Sequence, residues 1–497
     1  MIQQKYKLVM TEKITLKPSL YLVGLLLIGL LLNSCGEKKI ETKEIPLPNI
    51  ILITTDDLGW YDLASYGNDF IESPNLDKLG KQGIRFTDAY APAPLCSASR
   101  SAIMTGLHPI RTDITEHIHG NPPTKPSQKL TTPPIAQQLD LQFKTIAEAL
   151  KAKNYKTAFF GKWHLGGGKF TPDHRGFDLN IAGAWNGLPK SFFYPFFNMG
   201  QKPELQNSSK EGDYLTDVLT DKTLEYMEQK KDSTFFISLN YYSPHVPIEA
   251  KNSLVEKYRN KRGADTLSTT MPNIHYAAMI ESIDQNIGRI MEKLEKLQLA
   301  ENTLVIFTSD NGGLHVPSLK AFIKHTPPTD NGFLREGKGF VYEGGIRVPL
   351  IARWPAKIKT SSVDSTIVVG QDFFNTFMDI AGLEKTTDGA SLLPIFEGEK
   401  LAERGVLWHL PHYNHQGSKP SSAYREGDWK LIYTYEDEQY ELFNLKKDIS
   451  ESKNLAEVNP EKLNDLKDKM NARLTALKAK YPTPNPNYNG ASEVVWE

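Results

Sequence analysis

The sequence has little net charge, little cysteine and no long apolar run, and each shortage excludes a class of protein. Its 58 basic and 59 acidic residues almost cancel, so we expect no nucleic-acid partner, because nucleic-acid-binding proteins carry a strongly basic face. Any bound anion must therefore be held by a local cluster of cations. The main apolar stretch, residues 20–32, is short for a transmembrane helix, which needs about 20 apolar residues.

The N-terminus has the organisation of a secretory signal. Lysines precede the apolar stretch, and the sequence LNSC ends it. This order resembles a bacterial lipoprotein signal, in which the final cysteine, here Cys35, receives lipid and becomes the new N-terminus. We therefore interpret residues 1–35 as a signal peptide and the charged, non-periodic residues 36–48 as a flexible tether. An uncleaved membrane anchor is the alternative interpretation.

Lipidation at Cys35 has two consequences. The protein would be exported and attached to the outer membrane through its lipid only, facing either the periplasm or the cell surface. Cys96 would have no partner, because the chain has only two cysteines, and an unpaired cysteine in an exported protein requires an explanation. Cys96 lies among small hydroxyl-bearing residues in LCSASRSAIMTG, where we expect a helix to begin.

Several short apolar runs end in polar residues and glycine, a pattern typical of buried strands followed by loops. Amphipathic helical patterns lie between these runs, so we predict a mainly parallel sheet with helices on both faces, over residues 49–390. From residue 391 the sequence alternates around an acidic turn and then becomes helical over residues 461–478. We therefore predict a smaller C-terminal α+β domain with an antiparallel sheet over residues 391–497, which ends in an irregular tail from Tyr481.

The polar residues at the strand ends form the candidate site, because ligands of parallel sheets bind beyond the carboxyl ends of the strands. Two such ends carry only oxygen donors, a set that suits a hard divalent cation such as Ca²⁺ or Mg²⁺. These donors are Asp56, Asp57, Asp310 and Asn311. Side chains that merely begin turns are the alternative. Other strand ends and a glycine-rich loop add Lys162, His164, His245 and Lys338.

Six motifs follow one another along the chain: DDLGWYD, CSASRSAIMTG, GKWHLG, SPHVP, SDNGG and EGKGFVYEGGIRVP. On these motifs, the chain resembles a type I sulfatase of the alkaline phosphatase superfamily, of the exported bacterial type that degrades polysaccharides. The resemblance implies an alkaline phosphatase-like fold and the hydrolysis of a sulfuric ester on a sulfated carbohydrate. It also implies a metal site, with calcium favoured over magnesium, formed by Asp56, Asp57, residue 96, Asp310 and Asn311.

The resemblance also explains Cys96. In such proteins a maturation enzyme oxidises the motif cysteine to Cα-formylglycine, an aldehyde whose hydrate is the nucleophile. A helix start suits this residue, because unsatisfied N–H groups and the helix dipole stabilise an anion there. Arg100, one turn further on, would stabilise the developing charge. The family usually has proline two positions after the cysteine, whereas this chain has Ala98, which restricts the backbone φ angle less.

The same resemblance suggests roles for the other cations. Lys162, His245 and Lys338 would neutralise charge on the sulfuryl oxygens. His245 or Lys338 would protonate the departing alcohol, and we favour His245 because its ordinary pKa lies nearer neutrality. His164 would accept the proton that is lost when sulfate leaves and the aldehyde is recovered.

Candidate contacts to the sugar or sulfate are His174, Arg175, His409, His412, Arg111 and His117. We expect Trp163, Trp185 and the aromatic side chains of residues 191–197 to stack on sugar rings. Burial of these side chains in the core is the alternative. The spacing of His409, His412 and His415 resembles a zinc site, but no carboxylate or cysteine pattern accompanies it.

We therefore expect two partners, a sulfated glycan as substrate and a formylglycine-generating maturation enzyme. Two other functions stay open. A phosphodiester or phosphonate monoester hydrolase of the same superfamily would use nearly the same groups. An inactive glycan-binding lipoprotein would keep the pocket but leave Cys96 unmodified.

Overall fold

The computed structural model describes residues 46–119, 123–197, 203–262, 272–316, 326–358, 361–386 and 388–490. The predicted signal peptide, Cys35 and most of the predicted tether lie outside these residues. In the described part of the chain, no helix combines the length and apolar character needed to cross a membrane. The residues from Leu47 onward form one compact unit.

The strands in the described residues are β1 (Asn49–Thr55), β2 (Ile84–Phe86), β3 (Ala89–Tyr90), β4 (Leu130–Thr131), β5 (Lys156–Gly161), β6 (Leu179–Ile181), β7 (Phe235–Asn240), β8 (Thr303–Ser309), β9 (Leu350–Arg353), β10 (Ser362–Asp364), β11 (Val368–Val369), β12 (Gly405–Leu410), β13 (Ser421–Glu426), β14 (Trp429–Thr434), β15 (Gln439–Asn444) and β16 (Thr483–Pro484). The α-helices cover Pro74–Lys81, Cys96–Thr105, Pro109–Thr112, Ile146–Leu150, Pro203–Asn207, Leu215–Gln229, Asn252–Arg262, Ile274–Lys296, Glu343–Ile346, Asp372–Ile380, Leu393–Phe396 and Pro460–Leu477.

The main sheet has eight strands in the order β10-β2-β9-β8-β1-β7-β5-β6. All of them run in one direction except β9, which is antiparallel to both of its neighbours. Thr55 at the end of β1 pairs with Ser309 at the end of β8, and Thr54 pairs with Asn240 at the end of β7. The strands that precede the predicted site residues therefore end at the same edge of the sheet, and the predicted mainly parallel sheet is confirmed.

Helices cover both faces of this sheet. Ile51 and Ile53 of β1 pack in a core that includes the helices Leu215–Gln229 and Ile274–Lys296. Their neighbours Ile50 and Leu52 pack on the opposite face, together with the helices Ile146–Leu150 and Asp372–Ile380. A strand that is buried on both faces needs apolar residues at consecutive positions, which explains the unalternated sequence of β1.

A second, antiparallel sheet has the order β12-β13-β14-β15. The helix Pro460–Leu477 packs Leu466, Met470 and Leu474 against one face of it. The predicted hairpin and helix of the C-terminal region are therefore confirmed. The tail from Tyr481 was predicted to be irregular, which is wrong for Thr483–Pro484, because this segment forms β16 and pairs with β4.

Candidate active site

The carboxyl ends of four adjacent parallel strands form the floor of the site. Asp56 and Asp57 follow β1, and Asp310 and Asn311 follow β8. Lys162 and His164 follow β5, and His245 lies five residues beyond the end of β7. The order of these strands, β8-β1-β7-β5, brings together residues that lie up to 255 positions apart in the sequence.

Cys96 is the first residue of the helix Cys96–Thr105, and it is 3% exposed. Its sulfur lies in a group with one ligand atom each of Asp56, Asp57 and His245, all within 4.8 Å of one another. Burial raises the pKa of the thiol to about 11, so an unmodified Cys96 would be a neutral thiol at neutral pH. The helix start directs its unsatisfied N–H groups towards this cluster.

Each of the three buried carboxylates has a buried cation as partner. Lys162 Nζ donates to Asp56 Oδ2 at 2.7 Å, and Lys338 Nζ donates to Asp57 Oδ2 at 2.9 Å. Arg100 Nε donates to Asp310 Oδ2 at 2.8 Å, and Nη1 of the same guanidinium donates to the carbonyl of Lys162 at 2.8 Å. Arg100 therefore ties the ends of β8 and β5 to the helix that begins at Cys96.

The two oxygen-donor pairs are also joined to each other. The backbone N–H of Asp57 donates to Asp310 Oδ1 at 3.3 Å, and Asn311 Nδ2 donates to Asp57 Oδ1 at 2.8 Å. Asp57 has a positive φ of 65°, a conformation that Asp adopts more readily than most non-glycine residues and that the surrounding contacts hold in place here. The predicted oxygen cluster is therefore assembled, and His245 lies beside it.

The donor set fits a divalent cation. Asp56 Oδ1 and Asn311 Oδ1 are buried and have no hydrogen-bond partner among the described residues. Buried oxygens without partners are costly, and a hard cation satisfies both of them. Burial and the neighbouring Asp56 raise the pKa of Asp310 to about 6, and a bound cation would relieve this repulsion between carboxylates. The family uses a divalent metal here, and the buried cluster is able to bind one.

Two buried histidines face the cluster. Burial and the charge of Lys338 lower the pKa of His245 to about 3, and its Nδ1 donates to the carbonyl of Val246 at 2.9 Å. Its Nε2 lies 3.6 Å from Asp57 Oδ2. Burial and Lys162 lower the pKa of His164 well below its usual value, so this ring is a neutral base. His164, like Asp57, has a positive φ, here 56°.

A cavity of about 560 Å³ opens above these groups. Its floor contains Cys96, Lys162, His164, His245 and Lys338, and the predicted catalytic residues are thus brought together, with Arg100 buried beneath them. The walls are formed by residues of several loops, namely His117, Ile118, His119, Trp185, Leu188, Val246, Leu314, His415 and Gln416. Trp185 and Leu188 are 49% and 40% exposed, so one wall offers apolar surface to a ligand.

The predicted sugar contacts His174 and Arg175 do not line this cavity. His174 is exposed, and Arg175 is buried with its Nη1 donating to the carbonyl of Leu139 at 2.9 Å. Its Nη2 donates to the carbonyl of Phe143. Because the guanidinium donates its hydrogen bonds to backbone carbonyls, Arg175 stabilises a loop instead of contacting a ligand.

His409 and His412 are also absent from the cavity walls. His409 Nε2 donates to the carbonyl of Lys480 at 2.9 Å, and Nδ1 contacts Ser422 Oγ at 2.7 Å. His412 Nε2 contacts Thr115 Oγ1 at 2.8 Å. Both rings are buried, so His409 holds β12 to β13 and to Lys480, and His412 holds its loop to Thr115. His415, by contrast, does line the cavity.

Of the weaker candidates, Arg111 pairs with Asp388 at 2.6 Å outside the cavity, and Trp163 is buried in the core. His117 and Trp185 line the cavity, and their contact with a sugar stays a prediction. Among residues 191–197, Phe192, Phe196 and Phe197 are buried in the core.

Three residues that hold site residues in place were not predicted from the sequence, namely Ser97, Tyr276 and Gly187. Ser97 Oγ donates to the carbonyl of His164 and accepts from the N–H of Ile118, both at 3.0 Å. Tyr276 Oη donates to the carbonyl of Asp57 at 2.9 Å. Gly187 packs against the His164 ring. Ser97 could have been identified, since it follows Cys96 directly, whereas Tyr276 and Gly187 carry no local signal.

A mainly parallel sheet whose strand ends hold carboxylates, lysines and a helix-initial cysteine defines a hydrolase of the alkaline phosphatase superfamily. The particular family follows from the family models. The model described as Sulfatase matches residues 48–383, and that of the N-sulphoglucosamine sulphohydrolase C-terminal region matches residues 333–480. The chain therefore belongs to the sulfatase family and is a sulfuric ester hydrolase.

Relatives and solved structures agree with this assignment. A sulfatase of Formosa agariphila is 33% identical and covers 96% of both chains. The N-acetylgalactosamine-6-sulfatase of Homo sapiens is 30% identical over 73% of this chain and 68% of that protein. The crystal structure of Ps i-CgsB has a TM-score of 0.68 and 29% identity, and covers 86% of this chain and 92% of that one. A phosphonate monoester hydrolase of Agrobacterium radiobacter, at 17% identity and a TM-score of 0.64, shares the fold alone.

Proposed function

We propose that this sulfatase removes sulfate from a sulfated carbohydrate, with formylglycine derived from Cys96 as the nucleophile. The observation that carries the proposal is the position of Cys96. It begins a helix, has no disulfide partner in the part of the chain that the structure describes, and lies within 4.8 Å of ligand atoms from Asp56, Asp57 and His245. A structural cysteine needs none of these neighbours. Conversion of Cys96 requires a formylglycine-generating maturation enzyme as a partner.

The cation proposed for the oxygen cluster is Ca²⁺, with Mg²⁺ as the alternative. The chain would hold it with Asp56, Asp57, Asp310, Asn311 and residue 96. A bound divalent cation supplies Lewis-acid polarisation of a sulfate oxygen. The choice is tested by removing bound metal with a chelator and then titrating the protein with Ca²⁺ or Mg²⁺. At equal concentration, the metal that binds more tightly gives the higher melting temperature.

The remaining side chains supply charge and proton transfer. Lys162 and Lys338 hold Asp56 and Asp57 and present ammonium groups to the sulfuryl oxygens. Arg100 donates to Asp310 and thereby holds the start of the helix Cys96–Thr105, where the nucleophile lies, against the end of β8. His164 acts as the base when sulfate leaves, which suits its neutral ring.

The proton donor to the departing alcohol is His245, with Lys338 as the alternative. Lys338 Nζ is engaged with both oxygens of Asp57, at 2.8 and 2.9 Å, whereas His245 Nε2 makes a looser contact of 3.6 Å. An anionic sulfate ester bound beside His245 would raise the depressed pKa of this ring, because a nearby negative charge favours the protonated form.

The shape and chemistry of the cavity support a carbohydrate substrate. The exposed Trp185 offers a flat apolar surface of the kind on which sugar rings stack. The imidazoles of the cavity walls, His117, His119 and His415, offer hydrogen bonds to hydroxyl groups. Ps i-CgsB, which has a similar fold, was crystallised with k-i-k-neocarrahexaose, and relatives include N-acetylgalactosamine-6-sulfatases. We also propose export and attachment to the outer membrane through lipid on Cys35, which metabolic labelling with a fatty acid would test against a Cys35→Ala variant.

The experiment compares three substrates: 4-nitrophenyl sulfate, bis(4-nitrophenyl) phosphate and a panel of sulfated mono- and oligosaccharides. The protein is produced with a maturation enzyme, and Cys96→Ala serves as the variant. We expect turnover of aryl and sugar sulfates by the wild type only, with the same melting temperature for both proteins. Activity that survives in Cys96→Ala, or a preference for the phosphodiester, contradicts the proposal.

A further inference from the structure

A buried carboxylate stands behind one wall of the cavity. Glu116 has no exposed surface, and its Oε1 accepts hydrogen bonds from His117 Nδ1 at 2.6 Å and from the His117 N–H at 3.0 Å. A carboxylate is costly to bury, and its Oε2 has no hydrogen-bond partner among the described residues. Its hydrogen-bonding partner His117 lines the active-site cavity, so this buried carboxylate is placed where it can act on a ligand through the ring.

The pairing determines which nitrogen of His117 meets a ligand. A carboxylate oxygen only accepts, so Nδ1 carries the proton of this contact, and in the neutral form of the ring Nε2 then carries a lone pair. The His117 side chain is 25% exposed and lines the cavity with Cys96, His164 and Lys338. Nε2 is therefore a hydrogen-bond acceptor on the cavity wall.

The segment that carries this pair is held on both sides. Before it, Thr115 Oγ1 contacts His412 Nε2 at 2.8 Å. After it, the N–H of Ile118 donates to Ser97 Oγ, and Ser97 adjoins Cys96 in the nucleophile helix. The position of His117 relative to residue 96 is thus defined by short contacts instead of by a mobile loop. The ring of His415, whose centroid lies 5.6 Å from that of His117, closes the same wall.

We propose that Glu116 and His117 form a recognition pair, in which His117 Nε2 accepts a hydrogen bond from a hydroxyl group of the sugar that carries the sulfate ester. His117 is a specificity-determining residue, and Glu116 is a positioning residue that acts through it. The inference rests on the proposed carbohydrate substrate. It predicts that the enzyme distinguishes a sugar sulfate with a free hydroxyl at this position from one in which that hydroxyl is methylated or missing.

The test measures kcat and KM for a sugar sulfate that the wild type hydrolyses and for 4-nitrophenyl sulfate, which has no hydroxyl group. We expect His117→Ala to lower kcat/KM for the sugar sulfate about tenfold or more, and by a much larger factor than it lowers kcat/KM for the aryl sulfate. Glu116→Met should reproduce this loss because it frees the ring. Glu116→Gln should restore most of the activity, since its amide oxygen still accepts from Nδ1 and from the backbone N–H.

The double variant Glu116→Met/His117→Ala separates recognition from structure. If Glu116 acts through His117, the double variant loses no more than His117→Ala alone. Equal losses of His117→Ala on the two substrates would overturn the inference. Losses of the two single variants that add up in the double variant would also overturn it, and so would unchanged sugar turnover by His117→Ala. Absence of wild-type turnover on every sugar in the panel would instead refute the carbohydrate substrate itself.

Discussion

Replacing Gly187 by alanine should displace the base that the mechanism requires. A Cβ at this position would lie 2.5 Å from His164 Cε1 and 2.8 Å from both ring nitrogens. Ordinary contacts of a Cβ begin at 3.4 Å, so the ring must move by about 1 Å. The backbone of His164 cannot follow easily, because its N–H donates to the carbonyl of Ala184 and its carbonyl accepts from Ser97 Oγ. The side chain therefore takes up the displacement.

The size of the effect follows from that distance. A misplacement of about 1 Å in a catalytic group costs roughly 10²-fold in rate. We expect kcat of Gly187→Ala to fall by about this factor, with a much smaller change in KM, because the charged groups Lys162 and Lys338 keep their positions. Since His164 acts after the alcohol has left, the variant should release alcohol in a burst close to one per active site and then turn over slowly.

The assay is stopped-flow detection of 4-nitrophenol from 4-nitrophenyl sulfate. Gly80→Ala is the matched control, because its Cβ would meet only side-chain carbons at 3.9 Å or more, and it should keep the wild-type kcat. Both variants should melt within a few degrees of the wild type. A Gly187→Ala enzyme with wild-type kcat, or one that loses rate without a burst, would show that His164 is not the base for sulfate release.

Two further predictions concern histidines. His245→Gln should lose about 10²- to 10⁴-fold on a sugar sulfate but far less on 4-nitrophenyl sulfate, whose leaving group needs no proton, whereas Lys338→Met should lose rate on both; the reverse pattern would make Lys338 the donor. Burial lowers the pKa of His409 to about 3, so its contribution to stability is present above pH 6.5 and is lost as the pH falls towards 3. At pH 5 the loss is about 2 kcal/mol in urea unfolding. His409→Gln should remove this contribution to acid sensitivity without changing kcat/KM. The exposed control His174→Gln should keep the acid sensitivity of the wild type. A changed kcat/KM in His409→Gln would return His409 to the substrate site.

The floor of the site was predictable because it depends on chain-local features. Asp56 and Asp310 follow buried apolar runs, and parallel strands that end together must bring such residues to one edge of the sheet. The helix start at Cys96 is equally local. A sequence pattern identifies the end of a strand, and the topology of a parallel sheet then places the residues that follow such strands at one edge.

The walls of the cavity were less predictable, because they depend on contacts between distant segments. His409 lies opposite Ser422 in the pairing of β12 with β13, and this partner decides that the ring faces inward. Arg175 has the composition of an anion ligand but is consumed by backbone carbonyls. Glu116 adjoins His117 in the sequence, yet only the burial of its carboxylate distinguishes this pair from any solvated acid and histidine.

The formylglycine nucleophile is tested most directly by the chemical state of residue 96 in active enzyme. Mass spectrometry of the peptide that contains this residue, on preparations made with graded amounts of maturation enzyme, gives the fraction converted from cysteine to formylglycine. We expect kcat per protein to rise in proportion to that fraction and to extrapolate to zero for unmodified Cys96. Full sulfatase activity in a preparation whose Cys96 is entirely unmodified would contradict it.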